Sequence, residues 1–276
     1  MAAILSGTEL AERILRSLSK EAQDSLGGLA VVLVGEHRTS LSYVREKEKI
    51  AERLSTPFRV FRFPEDVSQT ELESRVREVG LDSQYAGVLV QLPLPKDLHT
   101  QRILDCIPLE KDVDVLSSLA FGKFALGTSP ILPPTVAAVS ELLIQTKIQL
   151  KGTPVLVVGA GRLVGLPLSF WLTRQGATVT VAHKHTLDLR KAARDADVII
   201  SGVGKAKLIT GDMVKRGAVV IDAGTSVEEG KSAGDVDFES VSKKAAWVTP
   251  VPGGVGPLTV ACLMRNLFSL RTFERK

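Results

Sequence analysis

"TPVLVVGAGRLVGLP", residues 153–167, runs an apolar, strand-forming segment into Gly159, Gly161 and Gly165 and then into a helical pattern. Glycine lets the chain turn tightly and lets a ligand approach the main chain, while the free amides of a helix N-terminus favour negative charge. Strand, glycine loop and helix in this order therefore suit a pyrophosphate. The spacing is G-x-G-x-x-x-G, one residue longer than the usual dinucleotide fingerprint, and such a loop also serves as a plain strand-to-helix turn.

The surrounding sequence repeats the pattern. "ATVTVAH" (177–183), "ADVIISGVG" (196–204) and "GAVVIDAG" (217–224) follow as further strand-like runs, predicting a parallel sheet covered by helices. Upstream, "LAVVLVG" (29–35), "FRVFRF" (58–63) and "AGVLVQLPLP" (86–95) alternate with charged helical segments around 40–54 and 68–79, a second βαβ series. The fold class is α/β, with two α/β domains. The proline-rich turn in "GTSPILPPTVAAVSELLIQT" (127–146) sets the boundary near 130, giving 1–130 as the first domain and 131–257 as a Rossmann-like dinucleotide-binding domain. The last helix, about 258–276, is expected to return to the first domain, with the ligand cleft between the two sheets.

Composition narrows the function. The two cysteines, Cys106 and Cys262, lie far apart in apolar surroundings, which argues against a disulfide framework and a zinc site and for a reducing compartment. No metal is expected. The start, "MAAILSGTELAERILRSLSKEA", has an apolar repeat at helical spacing and neither a signal-peptide core nor a spanning segment, so it reads as the first helix of a soluble, cytoplasmic protein without a membrane partner. The net charge is +4, with basic residues interspersed among acidic ones, which gives a nucleic-acid partner little support and leaves a polyanionic small molecule open.

About twenty residues after the glycine loop, where an acidic side chain would bond the ribose of NAD, "VAHKHT" offers His183, Lys184 and His185. A carboxylate there would repel a 2′-phosphate and a basic cluster attracts one. NADP is favoured and NAD remains possible; a merely solvated basic loop is the alternative.

In "TSLSYVREKEKIAERL" (39–54), Tyr43, Lys47, Ile50 and Leu54 share one helical stripe, so Lys47 points where apolar residues point. Such a lysine either snorkels to water or has a lowered pKa, and only the second can exchange protons near neutrality. "VLVQLPLP" ends a buried strand with Gln91 at the carboxyl edge where open α/β sheets bind ligands; turn backbone could equally satisfy its amide. "EKDVDVL" (110–116) brings Asp112 and Asp114 together, either to receive paired N–H donors from a heterocycle or to cap the next helix. "TPVPGGVGPLTVA" (249–261) reads as a ligand loop leading into a helix with proline in its first turn.

As an ordered set, "GLAVVLVG", "SYVREKEK", "GVLVQLPLP", "KDVD", "KGTPVLVVGAGRLVGLP", "VVIDAG", "GDVDF" and "TPVPGGVGPLTVA" resemble the methylenetetrahydrofolate dehydrogenase/methenyltetrahydrofolate cyclohydrolase family nearly end to end. The resemblance implies a folate-binding catalytic first domain in which Lys47 is the catalytic lysine, Tyr43 stacks near the folate, Gln91 interacts with the lysine and Asp114 holds the pterin. It adds Leu92, Pro93, Pro252, Gly253, Gly254, Pro257 and Thr259 to the substrate-binding set. For the cofactor it implies Thr135, Gly159, Ala160, Gly161, Arg162, Val164, Gly165, His183, Lys184, Gly204 and Gly224. The implied reactions are oxidation of 5,10-methylenetetrahydrofolate with NADP⁺ and hydrolysis to 10-formyltetrahydrofolate, by a homodimer working on tetrahydrofolate derivatives in one-carbon metabolism and purine biosynthesis. The chain departs from the family at Gly159-Ala160-Gly161, where Gly-Arg-Ser is common, at Lys184 for serine, and at Val115 for the glycine after "DVD". These departures motivate an alternative: a folate-binding protein that keeps only the hydrolysis, or a non-catalytic regulator. A dehydrogenase of another small substrate, such as a shikimate-type compound, is a further one.

Overall fold

Each apolar run singled out above forms a strand in the computed structural model, which describes residues 1–21, 27–228 and 231–273. In chain order the elements begin β1 (Ala3–Ile4), α1 (Gly7–Glu21), β2 (Gly28–Val34), α2 (Arg38–Arg53), β3 (Phe58–Phe63), α3 (Gln69–Leu81) and β4 (Tyr85–Val90). Next come α4 (Thr100–Leu104), a 3₁₀ turn at Leu109–Lys111, α5 (Ser118–Leu126), α6 (Pro134–Thr146), β5 (Pro154–Val158), α7 (Gly165–Arg174) and β6 (Thr178–Ala182). The series ends with α8 (Leu189–Asp195), β7 (Val198–Ser201), β8 (Val219–Asp222), β9 (Ser226–Glu228), β10 (Lys231–Ala233), α9 (Phe238–Ser242), β11 (Trp247–Val248) and α10 (Val255–Phe273). They fall into two units, one of Arg13–Pro134 with Val260–Lys276 and one of Met1–Glu12 with Thr135–Thr259.

The first of these units holds a parallel sheet in the order β3-β2-β4. Its centre, β2, and its neighbour β4 are buried along their whole length, which is why both read as unbroken apolar runs, while the edge strand β3 exposes Arg59 and Arg62. Val32, Val34, Val88 and Val90 pack with Leu72 and Val76 of α3 and with Ile103 and Leu104 of α4. Ser68 caps α3 by accepting a hydrogen bond from Glu71 N, the expected reading of Ser-x-x-Glu before an apolar repeat. The main-chain N–H of Gln91 still bonds Val32 O at 2.8 Å, so strand pairing carries one residue past β4 and delivers Gln91 to the carboxyl edge.

The other unit holds six parallel strands in the order β1-β11-β8-β7-β5-β6, over a core that includes Leu156, Val158, Ile199, Val220 and Val248. From β5 the chain goes to β6 on one side and then back to β7 on the other. The carboxyl ends of β5 and β7 thus flank a topological switch point, where open α/β sheets take their ligands. β9 and β10 form a separate antiparallel pair.

Two expectations need correction. The first domain does not begin at residue 1: Ala3–Ile4 pair in parallel with Trp247–Val248, and Met1–Glu12 belong with the six-stranded sheet. The opening segment is helical only from Gly7, because its first residues are drawn into that sheet. Ala22 of the expected first helix, and residues 274–276 of the expected returning segment, lie outside the described residues.

Candidate active site

Along α2, Ser40, Val44, Ala51 and Leu54 are buried, and Lys47 occupies the missing step of that stripe. Lys47 is half-buried, and its ammonium donates to Gln91 Oε1 at 2.6 Å. Gln91 is aimed from both ends: the sheet fixes its backbone, and its Nε2 donates to Leu92 O at 2.8 Å, which turns Oε1 toward the lysine. The following Leu92-Pro93 peptide is cis. Tyr43 lies one turn before Lys47, half-buried.

The structure separates the two aspartates. Asp112 is buried, forms a bridge with Val88 of β4, and accepts from Leu116 N at 3.1 Å and Ser117 N at 2.8 Å, so it fixes the turn ahead of α5, whose cap is Ser117, accepting from Ala120 N. Asn266 of α10 braces the same segment by donating to Val113 O at 2.9 Å and Leu132 O at 2.8 Å. Asp114, between these anchors, accepts no hydrogen bond from any of the described residues and is only half-buried. Desolvation pushes its carboxyl up to about 6, against the pull of the Lys47 ammonium and with help from the Asp112 charge. Burial likewise lowers the Lys47 ammonium, while Asp114 holds it up. The shifts have opposite signs and move the two groups toward each other. A carboxylate with unfilled acceptor capacity beside such a lysine can bind an N–H edge and serve acid–base chemistry.

The glycine loop lies in the unit of the six-stranded sheet. Gly159 has φ +105°, and a Cβ there would come within 2.8 Å of Gly202 O. A Cβ at Gly165 would collide with Gly159 O, so α7 can start that close to β5 only on glycine. Gly161, in contrast, faces open space, and exposed Ala160 and half-buried Val164 complete the loop. Arg162 and Lys184 are exposed cations. The turn after β6 is fixed by His183 N donating to Thr186 Oγ1 at 2.9 Å and His185 N donating to His183 Nδ1 at 3.2 Å. Open room ahead of a helix N-terminus, with cations nearby in the sequence, fits a phosphorylated dinucleotide. Thr135 is the second residue of α6. Gly204 has φ +78° and donates its amide to Asp235. Gly224, expected among the cofactor contacts, is buried, its amide is bonded to Asp222, and a Cβ there would collide with the Asp235 carboxylate.

In the proline-glycine segment, Gly253 has φ +100° and its carbonyl accepts from Gly7 N at 2.9 Å, Thr8 N at 3.1 Å and Thr8 Oγ1 at 3.3 Å. Gly254 leaves room for Pro250 O, and Pro252 follows a cis peptide. Pro257 stands in the first turn of α10, where Thr259 Oγ1 donates to Val255 O. The segment is thereby clamped to the start of α1. Lys47, Tyr43, Gln91, Leu92, Pro93 and Asp114 thus belong to one unit, and Pro252 to Thr259 together with the glycine-loop residues to the other. Reading the sequence missed Asp222, Asp235 and Asn266 as organisers. Asp222 at least carried a signal, a charged residue closing a wholly apolar strand, as Gln91 nearly does.

Comparison with known proteins is consistent along the whole length. Residues 5–114 match the catalytic domain described as tetrahydrofolate dehydrogenase/cyclohydrolase, and residues 133–275 match the NAD(P)-binding domain of the same description. The bifunctional protein FolD of a Nitratiruptor species is 43% identical over 269 residues, covering 95% of each chain. Among solved structures, the bifunctional FolD enzyme of Campylobacter jejuni is 38% identical with a TM-score of 0.94, covering 99% of this chain and all of that one. The Trypanosoma brucei methylenetetrahydrofolate dehydrogenase-cyclohydrolase, complexed with NADP cofactor and inhibitor, is 33% identical with a TM-score of 0.95, covering 100% of this chain and 99% of that one.

Proposed function

Since the chain belongs to the tetrahydrofolate dehydrogenase/cyclohydrolase family, we propose that it oxidises 5,10-methylenetetrahydrofolate and hydrolyses the resulting 5,10-methenyl cation to 10-formyltetrahydrofolate. The observation that carries this reading is the Lys47–Gln91 bond at 2.6 Å, with the Asp114 carboxylate, unbonded among the described residues, acting electrostatically on the lysine. NADP⁺, when bound, supplies the hydride acceptor. The chain's own residues do the rest. Asp114 accepts N–H groups from the pterin, and Tyr43 lays its ring against the folate. Lys47, desolvated and held by Gln91, takes the proton from the water that attacks the methenyl carbon and passes it on as the ring nitrogen leaves. A cationic folate nearby lowers its pKa further, which favours the amine over the ammonium.

The choice of NADP⁺ over NAD⁺ rests on the exposed Lys184 and Arg162, with histidines rather than a carboxylate around Lys184. We extend the reading to a cytoplasmic homodimer that supplies one-carbon units for purine biosynthesis, on family resemblance alone; sedimentation of the purified protein checks the dimer. Absorbance assays with methylene- and methenyltetrahydrofolate test the activities. Turnover of both, with NADP⁺ reduced faster than NAD⁺, is expected. Hydrolysis without reduction of either nucleotide would replace the proposal by a cyclohydrolase alone, and turnover of neither would end it.

A further inference from the structure

Asp235 follows β10 and is completely buried. Its carboxylate takes four donors. Ser201 Oγ at 2.7 Å and Val203 N at 2.6 Å reach Oδ2, while Gly204 N and Lys205 N, both at 2.8 Å, reach Oδ1. Val203, Gly204 and Lys205 are themselves exposed. Their loop therefore has little core packing to hold its shape, and the bonds to this one carboxylate do so instead. A second aspartate secures the first: Asp222, buried at the end of β8, accepts from Gly224 N at 2.9 Å, Asp235 N at 3.1 Å and Val236 N at 2.8 Å. Its own amide donates to Thr249 Oγ1 at 2.7 Å, just ahead of the proline-glycine segment. The ends of β7, β8 and β11 are thus stitched together through the side chains of Asp235, Asp222 and Thr249.

The loop so held borders the glycine loop across the switch point. A Cβ on Gly159 would come within 2.8 Å of Gly202 O, and one on Gly202 would collide with Val164. Each amide has a single proton to donate, so those of residues 203–205 are already committed to Asp235 and are not available to a bound phosphate. We propose that Asp235 is a positioning residue for the dinucleotide: without touching the cofactor, it sets the shape of the Gly202–Lys205 wall of the crevice in which the cofactor lies. This inference rests on the dinucleotide reading given above.

Calorimetric titration of NADP⁺ into the parent protein and Asp235→Asn tests it, with methenyltetrahydrofolate hydrolysis as the second readout. In the variant, an NH₂ group replaces one acceptor oxygen and faces the same amide donors. NADP⁺ binding is expected to weaken about tenfold or more, the usual consequence of losing hydrogen bonds to a charged group. Hydrolysis, which depends on Lys47 in the other unit, is expected to stay within about twofold of the parent. Asp235→Glu, which keeps the charge but displaces it, is expected to show the same split and stands in if the amide variant does not fold. Ser201→Ala, which leaves all three loop amides bonded, is expected to shift NADP⁺ binding by less than about threefold. Parent-like NADP⁺ affinity in a folded Asp235 variant overturns the inference, and so does a parallel fall of binding and hydrolysis, which would mark Asp235 as a support of the fold only. A parent that binds NADP⁺ without reducing it sinks the dehydrogenase reading and leaves this test intact; a parent that binds none overturns both.

Discussion

Lys47 Nζ donates to Gln91 Oε1 across 2.6 Å, joining the buried face of α2 to the carboxyl edge of β4. General acid–base catalysis by a positioned side chain is worth about 10²–10⁴-fold, so Lys47→Met is expected to lower methenyltetrahydrofolate hydrolysis by that range. Methionine fills the lysine stem's place in the stripe of Val44, Ala51 and Leu54, so the thermal midpoint should hold within a few degrees. Hydrolysis at the parent rate would remove Lys47 from the mechanism.

The same contact predicts non-additivity. Gln91 is 8% exposed and has its other amide atom bonded to Leu92 O, so it acts on the reaction through the lysine it holds. Gln91→Leu alone should slow hydrolysis by about tenfold, the usual scale for one hydrogen bond to a charged group. Combined with Lys47→Met it should cost nothing further, since groups acting as a unit do not add. A double variant markedly slower than Lys47→Met would mean that Gln91 meets the substrate on its own account.

Asp114 gives the pH dependence. Its carboxyl is pushed up to about 6 by burial, and only the ionised form can accept N–H groups at both oxygens. The proton that binds as pH falls through 6 therefore removes pterin affinity. In hydrolysis, kcat/KM, which reports the free enzyme, should show a rise with pH through about 6 as Asp114 ionises. Asp114→Asn should lower kcat/KM and abolish that inflection. An inflection that survives the substitution belongs to another group.

What was legible in the sequence follows from where the determining interactions lie. β2, β4, β5, β7 and β8 are apolar runs bounded by glycine, proline or charge, and the edge strands β3 and β6 alternate, so their burial is written in their own residues. β1 and β11 have two residues each, too few to show a period; β1 is defined by its pairing with β11, and β11 by lying between β1 and β8. At the site, Lys47 betrayed itself as a polar step in an apolar stripe and Gln91 as a polar end to a buried strand. Asp112 and Asp114 could not be told apart, because their roles depend on which carboxylate the backbone turn directs at the amides of Leu116 and Ser117. Asp235 was hidden more deeply. Three of its four donors are main-chain amides at least thirty residues earlier, and amides leave no trace in side-chain pattern.

Val115, immediately after Asp114, offers a stability test in which two effects oppose. It has φ +58°, the left-handed region that a β-branched residue rarely enters. The conformation costs roughly 1–2 kcal/mol, and it survives because Asp112 and Asn266 brace the turn on either side. Glycine would relieve that strain, but Val115 is 1% exposed, so its side chain contributes about 1.5–3 kcal/mol by burial. Glycine also adds about 0.5–1 kcal/mol of freedom to the unfolded chain. Burial outweighs strain, and Val115→Gly is expected to destabilise the protein by about 1–2 kcal/mol in urea unfolding, with the pH inflection assigned to Asp114 kept in place. A net gain in stability would show that the strain stored beside Asp114 exceeds what the valine's packing returns.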